Sequence, residues 1–419
     1  MPSLRYLGVC LPLFFISTLP VFAKDSHVMV AHQDAITVDP ALTLPKLIDL
    51  TLAKYPDLTW LESLEEEAKA LQKRGESWTA GASQANLSYT EVTSGTLHVV
   101  NAGVQVPLWN LGQRDAEKNV AAQANLSAEN MAAATKLRVA GLVRAALWDM
   151  AVQKIRYDQA HVELDSYEAL LAKTKRRVTL GDLPRMDELL VQTELLQKKS
   201  VLTLAEAELM HARKRYQSIT QSNKVPSNYQ EKLVALKEIE QNHPLLVALN
   251  SQIERKKAEL EAQRLVGSGQ TNLSIGVNSD RSSNGDQRSN NTEAFSIGVT
   301  VPFGGQAHYA PQLAAINVEL NKLNAERAQL FRDLEQAHHE AEHNLEVNRK
   351  EMQTAEELKK VAQERLKMMQ ISYQMGESNL LHLLEVQTQT QRAVLNAKER
   401  AVMLQRDQAF YNQAVGVLP

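Results

Sequence analysis

The chain has 419 residues, 23% of them charged and only 5% aromatic, and a net charge of −3. So near-neutral a chain gives no support to nucleic-acid binding, which wants a strongly basic face. Its one cysteine, Cys10, lies at the extreme N-terminus, which leaves no disulfide and no cysteine metal site in the rest.

In chain order, Arg5 precedes a mostly apolar run from Leu7 to Phe22, then Val21-Phe22-Ala23 before Lys24. This pattern predicts a secretory signal peptide over 1–23, and the run is too short for a membrane anchor. Cys10 falls inside it, and Val9 is not the small residue that a lipoprotein signal needs before its cysteine. No later stretch is apolar for the roughly eighteen residues of a spanning helix. An exported chain of this kind would cross a membrane only as part of a closed barrel.

Residues 24–43 are polar, contain Pro40 and read as an extended arm. A helix follows from about Pro45 to Lys73, broken near Pro56 because proline lacks the amide donor and crowds the preceding turn. Residues 83–92 alternate, with Leu87 and Tyr89 on one side and Asn86, Ser88 and Thr90 on the other. Residues 97–108 alternate again, with Val100, Ala102, Val104 and Val106 against Asn101, Gly103 and Gln105. Thr93 to Thr96 joins the two as a hairpin with one apolar face. Gln113 to Thr179 has one glycine and no proline, and predicts a single helix on the order of 100 Å. Leu180-Gly181-Asp182-Leu183-Pro184 turns it, and a second helix returns through about Gln221 to a linker at 223–230.

The second half follows the same plan. A helix broken at Pro244 ends at Gly267, and a strand at 271–278 has Leu273, Ile275 and Val277 on one face. After a polar loop at 279–293, a strand at 294–303 carries Phe295, Ile297, Val299 and Val301 on one face. Gln312 to Met375 predicts another helix of about 95 Å, turned at Gly376-Glu377-Ser378-Asn379, and a last helix runs to about Ala414. Three landmarks share one offset of 195 residues: Gly103 and Gly298, Gly181 and Gly376, and Val191-Gln192-Thr193 and Val386-Gln387-Thr388. A duplication accounts for this, with repeats at 44–222 (hairpin 83–108) and 231–419 (hairpin 271–303). The fold class is mainly α with a small β part.

Four strands of about ten residues have the length and alternation of tilted membrane-spanning strands. Four cannot close a barrel, and open edges are not tolerated in lipid, so several copies must share one. With its proline-broken first helix, Val-x-Val-Pro-(Leu/Phe) strand ends and glycine turns, the chain resembles the TolC-type outer membrane factors over essentially all of 44–415. The resemblance implies a homotrimer with a twelve-stranded barrel in the outer membrane of a Gram-negative bacterium, continued by an α-helical periplasmic tunnel. Its partners would be outer membrane lipid, a periplasmic adaptor protein and an inner-membrane pump of the RND or ABC type. The implied function is a passive exit duct for small toxic solutes, drugs or metal ions, with no catalysis and no cofactor. A type I protein secretion duct and an exported structural coiled coil are the alternatives. The coiled coil leaves the amphipathic strands unexplained and wants a stricter heptad.

The resemblance also implies site residues. Gly181, Asp182, Gly376 and Glu377 would form the adaptor-contacting turns. Six residues past each turn glycine the family usually carries an aspartate, and this chain has Asp187 and, as a departure, His382. Glu385, nine residues past Gly376, would add a carboxylate ring at the closed aperture, flanked by Leu383 and Gln387. Trp109 and Tyr309, just past the strand ends, suit either a membrane interface or packing at the barrel–helix junction. His339-Glu340-Ala341-Glu342-His343 matches the H-E-x-x-H metalloprotease pattern. It lacks a third ligand at the expected spacing and sits within a long helix, which favours a solvated helix face, with His339 and His343 as weak metal candidates.

Overall fold

The structure is a computed structural model that describes residues 35–91, 93, 97–282 and 292–419. The expected signal peptide, most of the arm and most of both strand-connecting loops lie outside those residues. Ile36–Pro419 packs as one unit. Its elements are β1 (Thr37–Asp39), α1 (Leu44–Leu52), α2 (Leu58–Glu76), β2 (Gln84–Glu91), β3 (Leu97–Leu108), α3 (Gln113–Thr179) and α4 (Arg185–Thr220). They continue with β4 (Lys224–Pro226), α5 (Pro244–Val266), β5 (Thr271–Ser282), β6 (Thr292–Thr300), α6 (Gln306–Gln374) and α7 (Leu380–Ala414). The order helix, two strands, long helix, return helix thus occurs twice. None of the described helices is long and apolar enough to cross a membrane.

The 67 residues of α3 and 69 of α6 each span about 100 Å. A helix this long cannot bury its flank against one neighbour. Instead α3 packs on α2 and α5 along one part and on α4 and α7 along another. Likewise α6 packs on α5 and then α7, which leaves α4 and α6 as the outer members of the lower layer. Small residues on α3 (Ala121, Ala124, Ala128, Ala134, Ala140) are buried and let the neighbouring helices approach closely.

Midway along α3 a core forms from Leu44, Leu47, Ile48, Val139, Val143, Leu147, Tyr216 and Val225. Arg144 crosses this region with no exposed surface. It donates to both carboxylate oxygens of Glu231 at 2.7 and 2.6 Å, to Gln413 Oε1 at 2.5 Å and to the Val417 carbonyl at 3.0 Å. The segment after β4 and the C-terminal end of α7 are thereby fastened to the middle of α3. Nearby, His243 accepts the Leu245 N–H on Nδ1 at 3.3 Å and so caps α5. Burial pushes its pKa down, against a smaller opposing pull from the Ala414 backbone.

Several expectations need correction. The arm and the linker are not simply extended, because Thr37–Asp39 pairs in parallel with Lys224–Pro226 as a separate two-stranded sheet. Tyr216 secures it by donating to the Lys224 carbonyl at 2.5 Å, and burial pushes that phenol up to about 12. No helix precedes Pro244; residues 227–243 are irregular and proline sits in the first turn of α5, where its missing N–H costs nothing. α6 begins at Gln306 and runs through Pro311, since the tertiary packing of a long helix tolerates one lost backbone bond. β5 is longer than expected, reaching Ser282, and β6 ends at Thr300.

Candidate functional site

The four longer strands form one antiparallel sheet in the order β2-β3-β5-β6. The register stacks like on like. Leu87, Ala102, Val277 and Phe295 form one cross-strand row, and Ala85, Val104, Ile275 and Ile297 the next. On the other face run Asn86, Gly103, Gly276 and Ser296, and then Gln84, Gln105, Ser274 and Gly298. The period-2 alternation therefore yields a continuous apolar face and a continuous polar one. The glycines of the polar face make room for its side chains. A Cβ at Gly103 would stand 2.6 Å from Asn86 Oδ1, and one at Gly298 2.7 Å from Ser274 Oγ.

Nothing among the described residues covers the apolar face: Leu87, Tyr89, Phe295, Ile297 and Val299 are each more than 60% exposed. β2 and β6 each pair on one side only, so both outer edges carry unpaired backbone donors and acceptors. Such a sheet is stable only where something apolar takes the face and something strand-like takes the edges.

Asn110 fastens the sheet to the helices. Its amide donates to the carbonyls of Leu265, Val266 and Gly269 at 3.0–3.1 Å, capping the C-terminus of α5. Its Oδ1 accepts from the Thr271 N–H and hydroxyl as β5 begins. No sequence pattern signals this role. Trp109 is part of the same joint, donating from Nε1 to the Ser77 carbonyl at 3.0 Å, and Tyr309 is half-buried in the first turns of α6. The aromatic side chains left exposed at this level are Trp78 and Phe303.

At the far end of the helices the two turns share one geometry. Gly181 has φ +80° and Gly376 φ +81°. Asp182 N–H reaches the Arg177 carbonyl at 2.9 Å, and Glu377 N–H the Ser372 carbonyl at 3.0 Å, the six-residue bond of a Schellman close. Nothing lies within 4 Å of a Cβ added at either glycine, so the constraint there is backbone conformation and not space. Asn379 Oδ1 caps α7 on the His382 N–H at 2.8 Å. Tyr167, Val191, Leu195, Leu380, Leu383 and Leu384 form a core that joins the two hairpins just above the turns.

Asp187 is half-buried in the first turn of α4. Burial pushes the Tyr373 phenol's pKa up, Arg177, stacked 5.4 Å over the ring, opposes it, and Asp187 adds a smaller upward push. Arg177 thereby ties the end of α3 to Tyr373 at the end of α6. His382 and Glu385 are exposed on α7, and Glu385 accepts from Gln389 at 3.3 Å. Leu383 and Gln387 do not flank Glu385 toward an aperture. Both are buried, and Gln387 donates to Ser166 at 3.0 Å. Asp187 and His382, paired in the sequence, thus sit in different surroundings.

The H-E-x-x-H stretch lies within α6, with His339 and His343 both exposed. Glu340 accepts from Gln336 at 2.8 Å, and no group of three or more potential ligands occurs among the described residues.

A four-stranded sheet with one exposed apolar face thus stands at one end of two helices each about 100 Å long, α3 and α6. Sequence comparison finds no matching family model and no matching curated protein. Comparison of structures does find matches. Structures of CusC, described in terms of folding and transmembrane channel formation, superpose at TM-score 0.71 and 15% identity, covering 97% of this chain and 99% of that one. The open-state Neisseria gonorrhoeae MtrE outer membrane channel gives 0.69 and 17%, covering 92% and 91%. A membrane protein from Pseudomonas aeruginosa gives 0.70 and 16%, covering 97% of each chain. The chain has the fold of the TolC-type outer membrane channels.

Proposed function

We propose that this chain is the outer membrane channel component of a tripartite efflux system. The observation that carries the reading is the four-stranded sheet, whose apolar face is bare and whose two edges are unpaired. Three copies would join β6 of one to β2 of the next, closing a twelve-stranded barrel with its apolar face in lipid and its polar face around water.

The helical part supports the same closure. On α6, Val347, Val361 and Met368 are exposed at multiples of seven residues, with Thr354 completing the series and Met375, just past the helix end, continuing it. On α4, Leu189 and Leu196 are exposed seven apart. Leu189 and Met368 each stand eight residues from their turn glycine, and Leu196 and Val361 each fifteen. At 1.5 Å per residue the two stripes match in height at about 12 and 22 Å above the turns. A seven-residue apolar repeat is the seam of a supercoiled helix pair, and here its partner is a second copy.

In this reading the protein resides in the outer membrane with its helices in the periplasm. The turns at Gly181-Asp182 and Gly376-Glu377 meet a periplasmic adaptor, and an inner-membrane pump supplies the energy. The duct itself performs no catalysis. Its cargo is small toxic solutes, drugs or metal ions, with secreted protein as the second choice.

Glu385 and Asp187 supply the acidic residues of the entrance. Purified trimers in planar bilayers are expected to be cation-selective, low in conductance and blocked by divalent cations from the helical side. Glu385→Ala is expected to weaken that block several-fold. Unchanged block and selectivity in this variant would remove Glu385 from the entrance, and absence of any channel activity in the wild type would defeat the functional reading.

A further inference from the structure

His339 and His343 are not explained by packing or by the duct. His338, beside them, turns inward: it is buried, and its Nε2 lies 3.2 Å from the Tyr411 hydroxyl, which itself donates to the Leu236 carbonyl. That leaves Tyr411 accepting from His338 and settles the inward imidazole. His339 and His343 point the other way, exposed to solvent, with no hydrogen bond to another side chain or backbone group among the described residues. Their rings are nearly parallel, 14° apart, with centroids separated by 6.4 Å. They stand beside the seven-residue stripe of α6 and not on it.

We propose that His339 and His343 form a bidentate site for a divalent transition metal of the imidazole-preferring class, Cu²⁺, Ni²⁺ or Zn²⁺. Two imidazoles one helical turn apart share a face of the helix. With metal–nitrogen bonds of about 2.0–2.1 Å, each ring centroid lies about 3.2 Å from the ion, so two rings on one ion reach up to about 6.4 Å. That limit is the trans arrangement. At the angles of about 90–110° between ligands on one helix face the centroids stand about 4.5–5.2 Å apart. Rotation of the two side chains must therefore draw the rings together by more than about 1 Å to hold one ion.

The surrounding charge also suits a cation. Residues 333–346 contain Asp333, Glu335, Glu340, Glu342 and Glu346 and no lysine or arginine. Glu340 is held by Gln336 at 2.8 Å and Glu346 by Lys350 at 2.6 Å. These carboxylates therefore supply potential around the ion while water fills its remaining positions. Imidazole ligands with open water positions select copper, nickel or zinc over magnesium or calcium, which prefer all-oxygen shells.

The site requires only a folded α6, so its test is independent of the channel reading. Untagged full-length protein in detergent is titrated with Cu²⁺ or Ni²⁺ by calorimetry, and the Cu²⁺ form is examined by pulsed EPR. Two coordinated imidazole nitrogens are expected in the wild type and one in His339→Ala. Affinity is expected to fall about tenfold or more in His339→Ala and in His343→Ala. In the His339→Ala background, Val347→His re-creates an i,i+4 pair with His343 and is expected to restore binding. Glu340→Gln is expected to leave the affinity near wild type, because Glu340 is held by Gln336 and is not a ligand in this site. Wild-type affinity in the double variant His339→Ala/His343→Ala, or a single imidazole in the wild-type spectrum, overturns the proposal.

Discussion

Ile297→Lys is expected to cost the assembled protein about 2–4 kcal/mol and to deplete it from the outer membrane. Ile297 is 65% exposed and lies in the row with Ala85, Val104 and Ile275, near the middle of the strands. If that face meets hydrocarbon, an ammonium group there loses its hydration without gaining a partner. Ser296→Lys at nearly the same depth, and Thr300→Lys near the strand end, place the charge on the opposite face, where the duct holds water. Both are expected to change assembly little. The check is the urea midpoint of the heat-resistant oligomer, together with its abundance in outer membrane fractions. Equal losses from Ile297→Lys and Ser296→Lys would reverse or cancel the face assignment.

Arg144→Met is expected to destabilise the chain by about 3–5 kcal/mol, the cost of leaving a buried carboxylate without its cation. Glu231 is only 7% exposed, and Arg144 holds both its oxygens while reaching Gln413 and the Val417 carbonyl. Pairing the change with Glu231→Leu is expected to recover much of the loss, because a buried ion pair replaced by apolar groups is often neutral. Thermal unfolding followed by circular dichroism reads both variants. A loss within about 1 kcal/mol in Arg144→Met would mean that water reaches Glu231 and that the fastening is superficial.

The parts of this fold that repeat a short period were legible in the sequence. Gln113–Thr179 is bounded by Gly112 and Leu180, and glycine and proline mark both ends of that run. The apolar face of the sheet was legible because alternation fixes the face once a strand is granted. The pairing of Thr37–Asp39 with Lys224–Pro226 was not, since three-residue strands nearly two hundred residues apart carry no local pattern. Asn110 was equally silent: one asparagine reads as turn chemistry, and only the close approach of α5 and β5 gives it five bonds. The seven-residue stripe of α6 was masked because two seams share one helix. Leu334, Leu345 and Ala355 face inward while Val347, Val361 and Met368 face outward, which blurs the amphipathicity of each. At the tips, the family resemblance singled out Asp187, His382 and Glu385, but only packing reveals that Leu383 and Gln387 turn inward.

The central claim is that three copies close around one duct, with α6 of each against α4 of the next. The lone cysteine, Cys10, lies in the expected signal peptide, so engineered cysteines can report this contact cleanly. Leu196→Cys combined with Val361→Cys places one thiol on each stripe, fifteen residues from its turn glycine. Oxidation of the membrane-embedded protein is expected to give two-chain and closed three-chain species on non-reducing gels, with neither single variant linking. Leu196→Cys with Met375→Cys, mismatched in height by about 20 Å, is expected to stay unlinked. Failure of the matched pair to cross-link between chains, or equal cross-linking of the mismatched pair, would contradict the assembly.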